Sequence, residues 1–368
     1  MKIRGLVSVA GSFVIALAAA AAPNPPSPVP AAPDPNKAEG RYKNIQVFTG
    51  YPADDVVPAM QFISNALGVD CDYCHVERAP EKDDKKEKKT ARKMIAMTLA
   101  INHDHFDGHR DVTCVSCHRG ATRPMTISNV AERESTPAPA PPIPQAAELP
   151  AASTVLDRYV QALGGADAIA KIGSRVQKGK LSGFGPEPVP VDVLAKAPDR
   201  RITIVHGQRG DNTTAVNGRT GWLGNTGRPP RDMSAAESDA ARLDAALLFP
   251  SDLNRLFKQF EVAQPEKIEG KDVVKLVAKN DGKPETELWF DAQSGLVVRL
   301  KRYAETPLGR NPTQIDFADY RDADGVKIPF RWTVARPSGR FTIQLDESQQ
   351  NVPVDDKTFE KAPQGPAS

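Results

Sequence analysis

Cysteine is scarce in these 368 residues, and histidine nearly so: four of one and six of the other. So few cysteines exclude a fold stapled by many disulfides. Excess charge of one sign is missing as well. The formal net charge is +2, so no nucleic-acid partner is expected, and any electrostatic partner has to be found in local patches. Past the N-terminus there is no apolar run of membrane-spanning length. Residues 153–362 have one histidine, His206, no cysteine and no glycine-rich phosphate loop, so they offer no catalytic constellation. What remains is ordinary globular composition, 40% hydrophobic and 26% charged, with length for two or three domains.

The chain begins "MKIRGLVSVAGSFVIALAAAAAPNPP". Lys2 and Arg4 precede an apolar stretch, Leu6–Leu17, and a small-residue run ends near Ala22. Residues 1–22 are therefore expected to be a secretory signal peptide, with an uncleaved membrane anchor as the alternative. No cysteine follows the apolar run to carry a lipid. An exported, periplasmic protein is expected. Seven prolines fall in residues 23–35 and six more in Pro137–Pro150. Such Pro/Ala stretches favour polyproline II and act as semi-rigid spacers. They give a linker at 23–40, a small domain at 41–127, a second linker at 128–152 and a larger domain at 153–362. Cutting the second linker is expected to release two folded pieces.

Periodicity predicts an all-α small domain. In "ADDVVPAMQFISNALG" Val56, Met60, Ile63 and Leu67 form one stripe, with Asp54 or Asp55 as N-cap, Pro58 in the first turn and Gly68 as the stop. A second helix, 85–102, puts Met94, Met97 and Ile101 on one face. The larger domain opens with a helix capped by Ser153 and ended by Gly164–Gly165. Alternating strands follow, with hairpin turns at Ser294–Gly295, Asp324–Gly325 and Asn217–Gly218. "SAAESDAARLDAALLF" and "SDLNRLFKQF" are predicted helices. The expected fold class is a small all-α domain followed by an α+β domain, a curved antiparallel sheet covered by helices.

The four cysteines sit in two CxxCH units, Cys71–His75 and Cys114–His118. CxxCH is the attachment signature of c-type haem. Two thiols three residues apart reach the two vinyl groups on one side of the porphyrin, and the next residue aims an imidazole at the iron. Cys71, Cys74, Cys114 and Cys117 are thus expected to carry two covalent haems, with His75 and His118 as proximal ligands. A structural zinc site would use the cysteines without needing either histidine. A thioredoxin-type pair would need a βαβ setting that a helical domain lacks. For the sixth ligand, Met60 lies on a helix ended by Gly68, from which the chain can turn back toward Cys71–His75.

"PAMQFISNALGVDCDYCH" and "TARKMIAMTLAIN…VTCVSCHRG" resemble the cytochrome c subunit family of photosynthetic reaction centres. The resemblance covers about residues 41–127. It implies that each haem lies along a helix that supplies a methionine, which places Met60 over the haem of His75 and Met94 over that of His118. Met97, one turn on, is the rival for the second iron. The family's loop histidine implies a ligand role for His109, in the loop that also holds His103 and His105; the other reading is three surface histidines. Arg119 and Arg123 follow the second unit and are candidates for pairing with haem propionates. Members of that family typically carry four haems and lack the appended domain; this chain has two attachment units. Residues 153–362 resemble periplasmic lipoprotein-carrier domains in strand order and hairpin style alone.

The expected function is periplasmic electron transfer by a dihaem c-type cytochrome with His/Met-ligated irons, and not an enzyme. The alternatives are a dihaem peroxidase, with one iron open to substrate, and a redox-linked ligand-binding or docking protein acting through its β domain. The expected partners are a redox protein and, for the β domain, a lipid-like molecule or a docking partner. In this domain Phe249, Leu253, Leu256 and Phe257 are expected on covering helices that face an apolar interior. "EKDDKKEKKTARK", residues 81–93, holds seven basic and four acidic side chains. Between the haem motifs it is either a solvated helix start or a surface for an acidic redox partner.

Overall fold

The computed structural model describes residues 34–124 and 149–361. The leader, the prolines before residue 34 and most of the second linker lie outside the described residues. All described residues fall within one compact unit, Asp34–Ser368.

The first region is built of α1 (Ala38–Arg41), α2 (Ala53–Leu67), a 3-10 turn (Cys71–Tyr73), α3 (Lys86–His105) and α4 (Cys114–His118). Pro52, not Asp54 or Asp55, caps α2; the two aspartates lie in the first turn, where their charge suits the helix dipole. Pro58 is therefore inside the helix, beyond its first turn. Val56 and Ile63 are buried, and Met60 and Leu67 pack half-buried against the same cluster. α3 packs differently. Its inward stripe is Lys88, Ile95, Thr98 and Asn102, while Met94 and Met97 face outward, 39% and 45% exposed. Lys88 and Asn102 bond to neighbouring loops and Thr98 to the Met94 carbonyl of its own helix, so this face is held by hydrogen bonds as much as by apolar contact.

The second region starts with α5 (Ala152–Ala162) and α6 (Ala166–Ala170). Then come β1 (Ser174–Ser182), β2 (Val189–Lys196), β3 (Arg200–Gly207), β4 (Gly210–Asn217), β5 (Thr220–Asn225) and β6 (Arg228–Asp232). After α7 (Ala235–Ala246) follow β7 (Gln259–Val262), β8 (Glu266–Ile268), β9 (Lys271–Lys279) and β10 (Thr286–Asp291). The last strands are β11 (Val297–Thr306), β12 (Gly309–Ala323), β13 (Val326–Arg336) and β14 (Gly339–Gln350). The strands form one antiparallel sheet in which β1 pairs with β14, so the beginning and end of the meander meet at its middle. The three predicted hairpin turns are in place.

Two helix readings need correction. Ala151, not Ser153, occupies the N-cap of α5. "SDLNRLFKQF" gives only a 3-10 turn, Pro250–Arg255, and then enters β7, because Gln259 and Phe260 pair with β9. Ser234 caps α7, with Glu237 bonding back. Alternate residues of β13, Val326, Ile328, Phe330, Trp332 and Val334, are buried on the inner face. Val155, Leu156 and Tyr159 of α5, Leu243 of α7, Phe249 and Leu253 pack over that face. Leu256 and Phe257 lie half-buried against the same core.

The helices and the sheet meet at the tip of the β11–β12 hairpin. Leu308, 1% exposed, packs with Phe48, Val56, Phe62, Ile63 and Ile95. Arg110 donates to the Thr306 carbonyl and pairs with Glu305 at 2.5 Å, and Asn311 Nδ2 donates to the Pro58 carbonyl at 2.7 Å. A Cβ on Gly309 (φ +148°) would lie 2.6 Å from the Phe62 ring. This contact opposes the expected separation of the two halves, because a cut in the linker leaves it intact. Leu308→Ala should destabilise the helical region by about 2–5 kcal/mol, the range for a buried leucine truncation. Thermal unfolding followed by helix circular dichroism checks this; an unchanged melt would show that the tip contributes nothing.

His206 of β3 bridges two carboxylates, Asp211 at 2.9 Å and Asp192 at 3.2 Å. These hydrogen bonds, first with Asp211 and then with Asp192, raise its pKa above the ordinary 6.5. A raised histidine stabilises the fold fully below its unfolded value and loses that contribution as pH rises through the folded value. The stability gap between wild type and His206→Asn should be widest below pH 6.5 and close above it, measured as Tm against pH.

Candidate functional site

Both CxxCH units are built around one helix end. α2 stops at Gly68, which takes the left-handed conformation (φ +67°), and its N–H bonds back to the last turn. Three residues on, Cys71 begins the 3-10 turn. The second unit is helical itself, as α4, and ends at Arg119 and Gly120, both with positive φ. Gly120 then donates its N–H to the Ala66 carbonyl at 2.9 Å. A Cβ on Gly68 would lie 2.3 Å from the Gly120 carbonyl oxygen, so the exit of the second unit rests against the entry to the first.

The two histidines have the same local arrangement. His75 Nδ1 lies 3.0 Å from the Pro80 carbonyl oxygen, and His118 Nδ1 lies 2.9 Å from that of Ala121. A carbonyl only accepts, so in each ring Nδ1 carries the proton and Nε2 keeps its lone pair. That is how a metal-ligating imidazole is oriented. Cys71 and Cys117 are exposed; Cys74 and Cys114 are half-buried, and none is in a disulfide. Burial pushes the Cys74 and Cys114 thiols up, the opposite of the depressed thiolate of a redox pair. Among the described residues no three His, Cys, Asp or Glu side chains converge as a metal cluster, so the four cysteines do not form a zinc centre there.

The remaining candidates are spread around these units. Met60 is half-buried on α2; Met94 and Met97 are exposed on successive turns of α3. His103, His105 and His109 are all exposed, with His103 Nδ1 against Asp104 at 2.8 Å. Arg119 and Arg123 are exposed at the end of the second unit. Among the described residues the exposed large apolar side chains are Val57, Tyr73, Met94, Met97, Phe106, Val115, Leu149 and Phe184. Six of these eight lie in residues 34–124, so this small region carries most of the uncovered apolar surface. A flat apolar group attached at the cysteines would cover such surface. The donor set and its surroundings fit haem.

Two supports escaped the sequence reading. Asn102, 5% exposed, clamps the loop before the second unit: Nδ2 donates to the Val112 carbonyl at 2.7 Å and Oδ1 accepts from the Val112 N–H at 3.0 Å. Lys88 and Arg92, within the basic run, point inward. Lys88 Nζ bonds to the Pro80 and Lys82 carbonyls, each at 2.8 Å, and to Asp83 at 2.9 Å. Arg92 bonds to Asp83 at 2.9 Å and to the Asn44 carbonyl at 3.0 Å. Hydrogen bonds from Arg92, then Lys88, hold the Asp83 carboxyl far below the ordinary carboxylate range. Asparagine at 102 is indistinguishable in sequence from a polar surface residue. Only the placement of Val112 against α3, where it meets both polar atoms of the amide, shows its use.

Residues 4–156 match the model of a family described as photosynthetic reaction centre cytochrome C subunit. Cytochrome c-554 of Chloroflexus aurantiacus is 32% identical over 85 residues, which is 21% of this chain and 20% of that protein. The chain thus matches about a fifth of the length of that relative. The expected cytochrome resemblance is borne out for the N-terminal region. In structure, the chain is similar to a LolA superfamily protein from Nitrosomonas europaea, at 15% identity and a TM-score of 0.40, covering 57% of this chain and 97% of the other. A DUF1329 family protein from Desulfovibrio piger gives 15% identity and 0.41, covering 56% and 96%. Likeness at this level does not bear on function. Among the described residues no helix is long and apolar enough to cross a membrane.

Asn102→Ala removes both bonds to Val112 and leaves two backbone groups without their partner. The expected loss is about 2 kcal/mol, given roughly 1–3 kcal/mol for an unsatisfied buried group. Hydrogen exchange should quicken first at Val112 and through the loop preceding Cys114; uniform exchange throughout the chain would contradict the clamp.

Proposed function

We propose that residues 41–127 attach two haems c and that the protein is a periplasmic electron carrier. The observation that carries this reading is the matched orientation of His75 and His118, each with Nδ1 tied to a carbonyl within five residues and Nε2 left for a metal. Cys71 with Cys74, and Cys114 with Cys117, would hold the porphyrins as thioethers. Met60 would complete the coordination opposite His75, and Met94 opposite His118, with Met97 the alternative on the next turn. Haem c supplies one-electron oxidation and reduction at its iron, at a potential that methionine ligation raises. The protein's own part is to orient the imidazoles, to keep the two attachment units close through the Gly68–Gly120 contact, and to hold the loops between them. His109, Arg119 and Arg123 stay in a supporting role, the arginines free at the surface to reach propionates.

Function as a carrier, not an enzyme, follows if both irons are six-coordinate. For residues 153–362 we favour a docking role over holding a lipid-like molecule or a partner's apolar segment inside the sheet. Phe249 and Leu253, which would line a binding interior, are buried within the core. Saturable displacement of an apolar fluorophore by fatty acid would reverse that preference.

Protein made with cytochrome c maturation machinery should keep its colour through denaturation and acid-acetone extraction and give two haems per chain. Cys71→Ala with Cys74→Ala should remove one haem and spare the other. Met60→Ala and Met94→Ala should each lower one midpoint potential and remove part of the methionine–iron charge-transfer band. Loss of the band in Met97→Ala but not in Met94→Ala would move the second ligand one turn along α3. Bound zinc without covalent pigment would refute the reading, and a five-coordinate high-spin iron would favour the peroxidase.

A further inference from the structure

Lys88 has no role in the reading above, yet its surroundings are unusual for a lysine in a run of charges. Its side chain is 9% exposed, and its ammonium meets three oxygens, those of Pro80, Lys82 and Asp83. One of these acceptors, the Pro80 carbonyl, is the same oxygen that receives the proton of His75 Nδ1. A single carbonyl therefore serves the imidazole and a buried cation together. Among the described residues no side-chain cation bonds to the Ala121 carbonyl that serves His118. The two otherwise matched units differ here.

Resting on the haem reading, we propose that Lys88 is a positioning residue that raises the midpoint potential of the iron ligated by His75 and so sets it apart from the iron of His118. Two effects act in the same direction. The ammonium draws density from the Pro80 oxygen, which weakens it as an acceptor for Nδ1–H. An imidazole with a weaker hydrogen bond at Nδ1 is a less basic ligand, and a less basic ligand stabilises the oxidised metal less. The buried positive charge also opposes the extra charge of the oxidised state directly. Asp83 offsets part of this, but it is shared with Arg92, so two cations surround one carboxylate. This contribution shifts the His75 side toward being the stronger electron acceptor.

The test uses the full-length holoprotein, with haem counted per chain before potentiometric titration. Lys88→Met should lower one of the two midpoint potentials and leave the other in place, while Lys88→Arg, which keeps the charge, should restore it. A Lys88→Met protein with two haems and both potentials unchanged overturns the proposal, leaving Lys88 a prop for residues 80–83. An equal fall at both irons overturns it too. Should Lys88→Met fail to fold, Asp83→Asn decides: it removes the counter-charge but keeps the ammonium on Pro80, so the same potential should rise. An unchanged potential there is equally fatal. Absence of covalent haem from the wild type would defeat the haem reading itself, which the haem count separates from failure of this proposal.

Discussion

Gly68 has no side chain because the carbonyl of Gly120 occupies the space where one would go. Much of the site depends on that contact. It lets α2 end in a left-handed turn, which sends the chain directly into Cys71. It also brings the segment after His118 against the end of the same helix, locked by the Gly120 N–H on the Ala66 carbonyl. Two units separated by more than a helix in sequence thus share one anchoring point. Any other residue at 68 would both strain φ and push the second unit away, so the two effects cannot be separated.

Electrostatics in this region is directed inward. A run of seven cations suggests a surface for an acidic partner, yet Lys88 and Arg92 are tied to loop carbonyls and to Asp83, and Lys85 to the Asp72 carbonyl inside the first unit. Those bonds fix the segment between His75 and α3, which otherwise has little apolar content to hold it. A charge with three oxygen partners is satisfied in a way an isolated buried charge is not, so its desolvation is offset locally. The same Asp83 is kept ionised by the cations it fixes. Lys82, Lys86, Lys89 and Lys93 remain exposed at the surface, fewer than the run of seven implies.

What could be read from the sequence follows from how local each signal is. The glycine stop of α2 and the three hairpin turns are each set within a few residues, and each appears as expected. Helix caps at Asp54 and Ser153 failed because the chain enters those helices earlier, from Pro52 and Ala151. The inward face of α3 is a different case. Met94, Met97 and Ile101 are expected on one face, but no local pattern assigns the inward stripe: Lys88 and Asn102 turn inward where loops supply their hydrogen-bond partners, and Thr98 bonds back to the Met94 carbonyl of its own helix. An apolar face left outward is what a prosthetic group would need. Pairing of β1 with β14, and the packing of Gly120 on Gly68, join residues too distant for any local pattern to encode.

The hairpin of β11 and β12 ties these parts together. Its tip does not merely touch the helical region; Leu308 completes that region's core, beside side chains of α2 and α3. Asn311 reaches the carbonyl of Pro58, two residues before Met60, and Arg110 joins the hairpin to the loop that leads to the second unit. The sheet therefore holds both the helix and the loop that flank the CxxCH units. A helical region of this size, with eight buried apolar residues in its cluster counting Leu308, has too small a core to be rigid alone. Borrowing a side chain from a large sheet offsets that deficit. It follows that anything shifting β11 against β12 is transmitted to α2 through packed atoms, because a filled core cannot absorb the displacement.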